Sequence, residues 1–459
     1  MIISNYFSNK TFLILGMGKT GTALSNALYK SHANVSFWDD DPQIRKKFTK
    51  SNFKKFSNTK KQWEAIDYII PSPGISISGN SQHKLIYLSR KYKKKVISEL
   101  DLFQDVISKE NKINKNNIKI IAVTGTNGKS TIVSLIHHLL KSNSVPSSLI
   151  GNIGNSIFNS KFINNGFYVI EVSSYQLETS KIFSPNVAII SNLSSDHLSR
   201  HKSMKNYFNQ KSKILNNLVR DDTAILNCNH MLVKSKALDL FKNKKSNVVS
   251  FDFVKKESRF YSSKKNTLIK EKLRKIKYDN PFLYGEHNEE NVQIALKALS
   301  SLGFKKQLLK KSLYNFIGLA HRQELILNNK NLKVINDSKA TNIDSMIKAI
   351  KNYKNIYLIC GGILKDKNLN SLTPYTHKIK KVYITGVKKN QFINFFSKKN
   401  KIFVSSNLNK IVKECFKDVN AREESTILFC PGAASFDQFK NFEERGNKFK
   451  KIVMGNSKK

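Results

Sequence analysis

The sequence predicts an α/β fold built on mostly parallel sheets, and three observations carry that reading. Strand-like apolar runs alternate with helix-like segments along all 459 residues. A glycine turn, Gly16-Met17-Gly18-Lys19-Thr20-Gly21, joins the strand-like run Thr11–Leu15 to a helical pattern at 22–29. A second turn, Gly125-Thr126-Asn127-Gly128-Lys129-Ser130-Thr131, joins the buried-strand run 118–123 to a helical pattern at 132–141.

Composition narrows the class. A hydrophobic share of 40% is enough for real cores and excludes wholesale disorder. No apolar run approaches the ~18–20 residues of a membrane span. The opening stretch, MIISNYFSNKTFLILGMG, lacks the regions of a signal peptide and reads as a first core strand. Cys228, Cys360, Cys415 and Cys430 are far apart and form no CxxC pair. That excludes a zinc ribbon and a disulfide scaffold, and a reducing cytoplasm is the simplest location. The formal charge of +46 would usually suggest nucleic acid. Here the lysines are spread through the chain among asparagine and isoleucine, which reads as a global compositional bias. Basic patches interleaved with stacking aromatics are not found, so no specific nucleic-acid partner is expected.

Three blocks follow from the pattern: 1–107, 108–318 and 319–459. The polar stretch 108–117, SKENKINKNN, has the composition of a linker. The first block has the strand–glycine turn–helix–strand order of a Rossmann-like domain, with Asp39 at the tip of the second strand, where an acid can hold a ribose hydroxyl. Taken alone, this says dinucleotide-binding domain. Pro71-Ser72-Pro73-Gly74 forms another turn that would face the same crevice. The second block is P-loop ATPase-like. Val123 stands where the strict Walker pattern has its first glycine, yet the shorter GTNGKST keeps the physics. Backbone N–H groups and a helix N-terminus cradle phosphates, Lys129 meets the β- and γ-phosphates, and Ser130 is placed to hold Mg²⁺. Glu171, near the end of a later strand, is placed as a metal-binding acid. His197 in Ser194-Ser195-Asp196-His197 follows another strand end and is a candidate metal or phosphate ligand. The third block returns to strand–helix alternation, the pattern of a C-terminal Rossmann-like α/β domain. The residues by themselves thus reach a multidomain Mg²⁺- and ATP-dependent enzyme with a second phosphate-bearing ligand on the first block.

GTNGKST, Gly151-Asn152-Ile153-Gly154, the run EVSSYQLE at 171–178, Ser195-Asp196-His197, the run GEHNEEN at 285–291 and His321-Arg322 together resemble the Mur ligase family. Its members are the ATP-dependent amide ligases of peptidoglycan precursor synthesis. The runs NDSKATN at 336–342 and SFDQFKNFEERGN at 435–447 resemble the branch that adds D-glutamate to UDP-N-acetylmuramoyl-L-alanine. The likeness covers nearly the whole chain, with motifs in all three blocks in the right order.

The resemblance implies a first domain that holds the UDP end of the substrate in place of a nicotinamide cofactor, with Lys19, Thr20, Asp39 and Ser72 as contacts. It implies ATP on Gly125, Thr126, Asn127, Gly128, Lys129, Ser130 and Thr131, with Asn288 and Asn291 at the adenine and Arg322 and Asp337 at the ribose and phosphates. It implies two Mg²⁺ sites, one on Ser130 and Glu171 and one on His197, with Lys211 carbamylated beside the second. Asn152 would touch the substrate or the transferring phosphate. D-Glutamate would fall to Lys365, Thr341, Ser435 and Phe442. The stretch Gly361-Gly362-Ile363-Leu364-Lys365-Asp366-Lys367 leaves Lys367 as an alternative to Lys365. Ser435 also fits a helix N-cap, since Ser435-Phe436-Asp437-Gln438 has the form of a capping box, and Phe442 fits core packing. The family expectation is a monomer. The same-fold alternative is another amide ligase, such as a folylpolyglutamate synthase.

Overall fold

The computed structural model describes every residue except Asn80, Tyr284, 365–368, 420–422 and 457–459. Among the described residues, three sheets form. The chain divides into two compact units, one of residues 1–276 with 291–312 and one of 277–290 with 313–459.

The first unit holds two sheets. The smaller has five parallel strands: β1 (Thr11–Leu15), β2 (Asn34–Trp38), β3 (Lys54–Lys55), β4 (Tyr68–Pro71) and β5 (Lys95–Val96), in the order β3-β2-β1-β4-β5. The chain runs outward from β1 on one side and then returns to the other, so β1 ends at the point where strand order reverses. Such a point leaves a crevice beyond the strand ends, and the glycine turn lies there. Helix Lys19–Lys30 follows it.

The larger sheet has β6 (Asn117–Thr124), β7 (Ser147–Gly151), β8 (Asn165–Glu171), β9 (Val187–Ile190), β10 (Thr223–Asn227), β11 (Asn247–Asp252), β12 (Glu257–Ser262) and β13 (Thr267–Lys272). Its order is β13-β12-β11-β10-β9-β6-β8-β7. The β11/β12 and β12/β13 pairings on one edge are antiparallel, and the other pairings are parallel. β6 is flanked by β8 and β9 and is buried along most of its length, as its near-continuous apolar run requires. It too ends at a strand-order reversal, with GTNGKST at its tip. Helix Lys129–Ser142 begins inside the motif and buries Ile132, Val133, Leu135, Ile136, Leu139 and Leu140.

Residues 108–117 are not the linker that their composition suggests. Helix Glu99–Ile113 runs through most of them, and β6 starts at Asn117. The polar residues are the exposed side of a helix whose Val106 and Ile107 are buried, so helical periodicity overrides local polarity. The N-terminus of this helix is a capping box of Ser98 and Asp101. Asp101 also accepts from the amides of Lys181, Ile182 and Phe183 at 3.0–3.2 Å and from Ser180 Oγ at 2.9 Å, which fastens the turn after residue 179 to the helix.

The second unit holds six strands: β14 (Glu324–Asn329), β15 (Leu332–Asn336), β16 (Ile356–Cys360), β17 (Ile379–Ile384), β18 (Lys401–Val404) and β19 (Ser425–Phe429). Their order is β14-β15-β19-β16-β17-β18, with only the β14/β15 pair antiparallel. The loops leaving β15, β16 and β19 therefore emerge side by side.

Removing the Asp101 carboxylate strands five buried or half-buried donors, the Ser98 amide among them. Asp101→Ala is expected to lower the stability of the first unit by about 2–4 kcal/mol, measured by urea unfolding followed by tryptophan fluorescence. A loss below about 1 kcal/mol would show that the turn is held elsewhere.

Candidate active site

The loop after β6 is fixed from three sides. Gly125 takes φ +142°, and a Cβ there would stand 2.0 Å from Ser191 Oγ and 3.1 Å from the Asn192 amide, so only glycine fits. Asn127 receives its amide anchor from Asn192 Oδ1 at 2.9 Å, and its carbonyl accepts from Ser191 Oγ at 2.8 Å and Asn192 Nδ2 at 2.8 Å. Thr126 Oγ1 donates to the Ser194 carbonyl at 3.1 Å and accepts from the Ser194 amide at 3.0 Å. Asn291 packs against the bare α-carbon of Gly128. Thr131 lies half-buried in the first turn of the helix.

Two lysines converge on this loop. Lys129 Nζ donates to the carbonyls of Gly125 (3.0 Å) and Thr126 (2.8 Å), and Lys211 Nζ donates to the same Gly125 carbonyl (2.7 Å). Lys211 sits on helix Met204–Ser212 and is fully buried. Burial first, and then the positive charge of Lys129, hold its pKa well below the usual lysine range, against the pull of Asp196 and Glu171.

Glu171 ends β8 beside the loop. One of its oxygens meets Ser130 Oγ, and the other accepts from Asn152 Nδ2 at 2.8 Å. The amide of Asn152 also bonds the Glu171 carbonyl at 3.0 Å. A serine hydroxyl and a carboxylate thus touch at the tip of the phosphate-type loop, with a carboxamide on the far side. Among the described residues, no group of three or more His, Cys, Asp or Glu side chains converges.

His197 has φ +56°, a left-handed backbone uncommon for a residue with a side chain. Its Nδ1 lies 3.0 Å from Tyr175 Oη, and its Nε2 lies 3.6 Å from Asp196 Oδ2. Tyr175 also stacks on His201, whose Nε2 meets Ser174 Oγ at 3.0 Å. Residue spacing gave no sign of Tyr175 or His201. Their part comes from the pairing of helix Ser174–Thr179 with the segment after β9, over more than twenty residues of sequence.

On the smaller sheet, Gly21 packs directly on the Gly16 carbonyl, where a Cβ would sit at 2.0 Å. Asp39 accepts from the Met17 amide at 2.7 Å, and Ser72 Oγ donates to the Gly16 carbonyl at 2.7 Å. Lys19 is exposed and reaches the Gly154 carbonyl at 3.4 Å, while Thr20 is half-buried in the first helical turn. The residues expected to hold the UDP end therefore surround one turn.

In the second unit, three loops are sewn together by backbone bonds. The Asp337 amide bonds the Phe429 carbonyl, Gly432 bonds Ala340, and Ile363 exchanges bonds with Ala434. Arg445, which the sequence reading gave no role, is buried beneath them. It donates to Ser338 Oγ (3.1 Å), the Ala433 carbonyl (3.0 Å) and the Ser338 carbonyl (2.8 Å). Burial lowers its pKa to about 10. Asp337 is buried, and burial pushes its carboxyl up to about 6 against the Gln323 amide and Arg322. Arg322 is half-buried and Asn288 buried in this unit. Thr341 is half-buried beside Asn342, which caps helix Ile343–Lys351.

Ser435 is buried but is not a helix cap. Its carbonyl accepts from Gln438 and Phe439 in a turn, and the helix starts only at Phe442. The capping pattern misleads because local hydrogen bonding of this kind serves turns and helix starts alike. Phe442 is half-buried, with Lys339 Nζ 3.7 Å above its ring centre. Lys365 and its alternative, Lys367, lie outside the described residues.

Strand, glycine-rich loop and helix, with an acid on the neighbouring strand, define an ATP-dependent enzyme class. Residues 123–299 match the Mur ligase middle domain. The chain is 32% identical to the UDP-N-acetylmuramoylalanine–D-glutamate ligase of Rickettsia prowazekii over 98% of each chain. It is 30% identical to the ligase of the same name from Phenylobacterium zucineum, over 99% of this chain and 98% of that one. Among solved structures, the MurF ligase of Thermotoga maritima in complex with ADP has the same fold at 15% identity (TM-score 0.57, covering 99% of this chain and 98% of that one). The UDP-N-acetylmuramate–alanine ligase of the same organism aligns at 18% identity (TM-score 0.55, covering 98% and 100%). The chain belongs to the Mur ligase family, among the UDP-N-acetylmuramoylalanine–D-glutamate ligases.

Gly125→Ala combines a disfavoured φ with contacts that cannot relax, because one of them is backbone. ADP binding, measured by calorimetry, is expected to weaken by roughly tenfold or more, equivalent to at least about 1.4 kcal/mol. Unchanged affinity would mean that the loop re-forms around the new methyl.

Proposed function

We propose that this chain joins D-glutamate to UDP-N-acetylmuramoyl-L-alanine, making an amide at the expense of ATP in peptidoglycan precursor synthesis. The observation that carries the reading is the Lys129–Ser130–Glu171 loop constellation in a chain that aligns end to end with ligases of that name.

Amide formation from a carboxylate in water needs an activated acyl group. The alanyl carboxylate takes the γ-phosphoryl group of ATP and becomes an acyl phosphate, releasing ADP. The D-glutamate amine attacks the acyl carbon, and the tetrahedral intermediate expels phosphate. The protein's tasks are positioning and charge neutralisation. Lys129 faces the β- and γ-phosphates, and the loop amides from Gly125 to Thr131 surround them. Asn291 and Asn288 take the adenine side, and Arg322 and Asp337 the ribose and phosphates. Lys19, Thr20, Asp39 and Ser72 take the UDP end. Asn152, held by Glu171, is placed to touch the acceptor or the transferring phosphate. Thr341, Ser435 and Phe442, with Lys365, take D-glutamate.

The residues present fit Mg²⁺. It favours hard oxygen donors and uses one or two carboxylates while phosphates and waters fill the other positions. Ser130 and Glu171 supply such a pair, and a sparse protein set suits a metal shared with ATP. His197 and Lys211 would hold a second ion. When bound, Mg²⁺ supplies neutralisation of phosphate charge. Lys211 suits carbamylation because burial, and then the charge of Lys129, disfavour its ammonium form. Nζ attacks the carbon of CO₂, an N–C bond forms, one proton leaves the nitrogen, and a carbamate anion results. The enzyme acts as a cytoplasmic monomer in this reading. Among the described residues, no helix is long and apolar enough to cross a membrane.

Purified protein with ATP, Mg²⁺, UDP-N-acetylmuramoyl-L-alanine and D-glutamate is expected to yield the ligated product by mass spectrometry, with stoichiometric phosphate. L-Glutamate should give none. Product with L-glutamate and folate in place of these substrates would favour the folylpolyglutamate alternative. Lys129→Ala is expected to lower kcat by about 10²–10³, since it removes one charge from the developing phosphoryl transition state. With ¹³C-bicarbonate, a carbamate carbon signal is expected in the wild type and not in Lys211→Met. A signal that survives the substitution would move the modification elsewhere.

A further inference from the structure

Arg322 is displayed on a strained turn. The residues on either side of it, His321 and Gln323, both take left-handed backbone, at φ +64° and +44°. Residues with side chains persist there only where their surroundings over-determine them, and such turns gather at ligand sites. Two backbone anchors hold this one. The His321 amide donates to Glu324 Oε2 at 2.9 Å, and the Gln323 amide donates to Asp337 Oδ1 at 3.3 Å.

The Gln323 side chain adds a third anchor and reaches two further segments. Its Oε1 accepts from Asn352 Nδ2 at 2.9 Å and from Tyr353 Oη at 3.3 Å. Two donors on the oxygen leave the amide nitrogen facing His287, whose Nε2 lies 3.2 Å away. Gln323 Nε2 can only donate, so His287 accepts at Nε2 and carries its hydrogen on Nδ1. That requires a neutral ring, and burial lowers the His287 pKa to about 4. Asn352 ends helix Ile343–Lys351 and closes on Gly285, where a Cβ would stand 2.3 Å from its Oδ1. All of these residues belong to the second unit.

Gln323 thus ties together the turn of Arg322, the loop of Asp337, the end of one helix and the first turn of another. That first turn, in helix Glu286–Ser301, carries Asn288 immediately after His287. The inference rests on the nucleotide reading proposed above, in which Asn288 takes the adenine side and Arg322 and Asp337 the ribose and phosphates. We propose that Gln323 is a positioning residue for ATP. It fixes the spacing between the adenine group and the ribose and phosphate groups, and it touches no part of the nucleotide itself. Spacing in sequence hides the role, since 36 residues separate Gln323 from His287 and 29 separate it from Asn352. A polar network satisfied at every end holds one geometry, and a preset site spares the ligand the cost of ordering it. Loss of the network therefore acts on nucleotide binding and leaves the chemical step alone.

The test uses the full chain with Gln323→Met, Gln323→Glu and His287→Leu. Methionine keeps the length of the side chain and deletes both polar ends. Glutamate keeps the oxygen that Asn352 and Tyr353 bond, and the neutral His287 ring can move its hydrogen to Nε2 and donate to the second oxygen. Gln323→Met is expected to raise the KM for ATP, and the calorimetric Kd for ADP with Mg²⁺, by roughly tenfold. Gln323→Glu is expected to stay within about threefold of wild type. His287→Leu breaks the same bond from its other side and is expected to follow Gln323→Met, so either of the two decides if the other does not fold. In all three, kcat at saturating ATP and the KM for UDP-N-acetylmuramoyl-L-alanine are expected to stay within about twofold. The affinity for inorganic pyrophosphate, which has no adenine to place, is expected to hold as well. Unchanged ADP affinity in a folded Gln323→Met or His287→Leu chain would overturn the inference. So would a loss that pyrophosphate shares, a loss confined to kcat, or a glutamate variant as weak as the methionine one. A wild type that binds ADP but forms no D-glutamyl product would overturn the substrate reading alone, because the calorimetry needs no acceptor.

Discussion

Two cations sharing one carbonyl organise the nucleotide end of this protein. Lys129 and Lys211 both donate to the Gly125 carbonyl, and Glu171 and Asp196 face the pair. Like charges this close in a buried place repel, so one of the lysines must give up charge or meet an anion. Lys211 is the one whose charged form burial disfavours. The same crowding prepares the loop for phosphate, because every polyanion that enters relieves it. Gly125 makes the arrangement possible, since no side chain fits between its α-carbon and Ser191.

The two parallel-sheet centres of the first unit follow one rule. β1 and β6 are each the strand from which the chain departs to one side and then returns to the other. The crevice beyond such a strand is free of connecting chain, so a ligand can reach helix N-termini and backbone amides there. At β1 the crevice carries the glycine turn with Asp39 and Ser72, and at β6 it carries the phosphate loop with Glu171. In the second unit, adjacency of β15, β19 and β16 does the equivalent work, and Arg445 fixes the loops from below by binding two of their carbonyls.

Much of this was legible in the residues. The glycine turn, GTNGKST and the strands that precede them stand where their patterns put them, because buried parallel strands need near-continuous apolar runs and phosphate loops need glycine at strained positions. Local composition failed at 108–117, where a helix with an exposed polar face resembled a linker. It failed again at Ser435, where a turn carried the residues of a helix cap. In both places short-range chemistry has two structural outcomes, and burial of neighbouring apolar side chains decides between them.

The sequence by itself determined the α/β class, the two phosphate-type turns and the run of family motifs that mark a D-glutamate-adding ligase. Those depend on residue type and on spacing within a few positions, which the chain carries in full. Only the tertiary structure decided that Lys211 meets the Gly125 carbonyl, that Tyr175 meets His197 and that Arg445 binds the loops after β15 and β19. Each of those contacts joins residues distant in sequence, and desolvation, which disfavours the charged form of Lys211, exists only once the chain has packed around it.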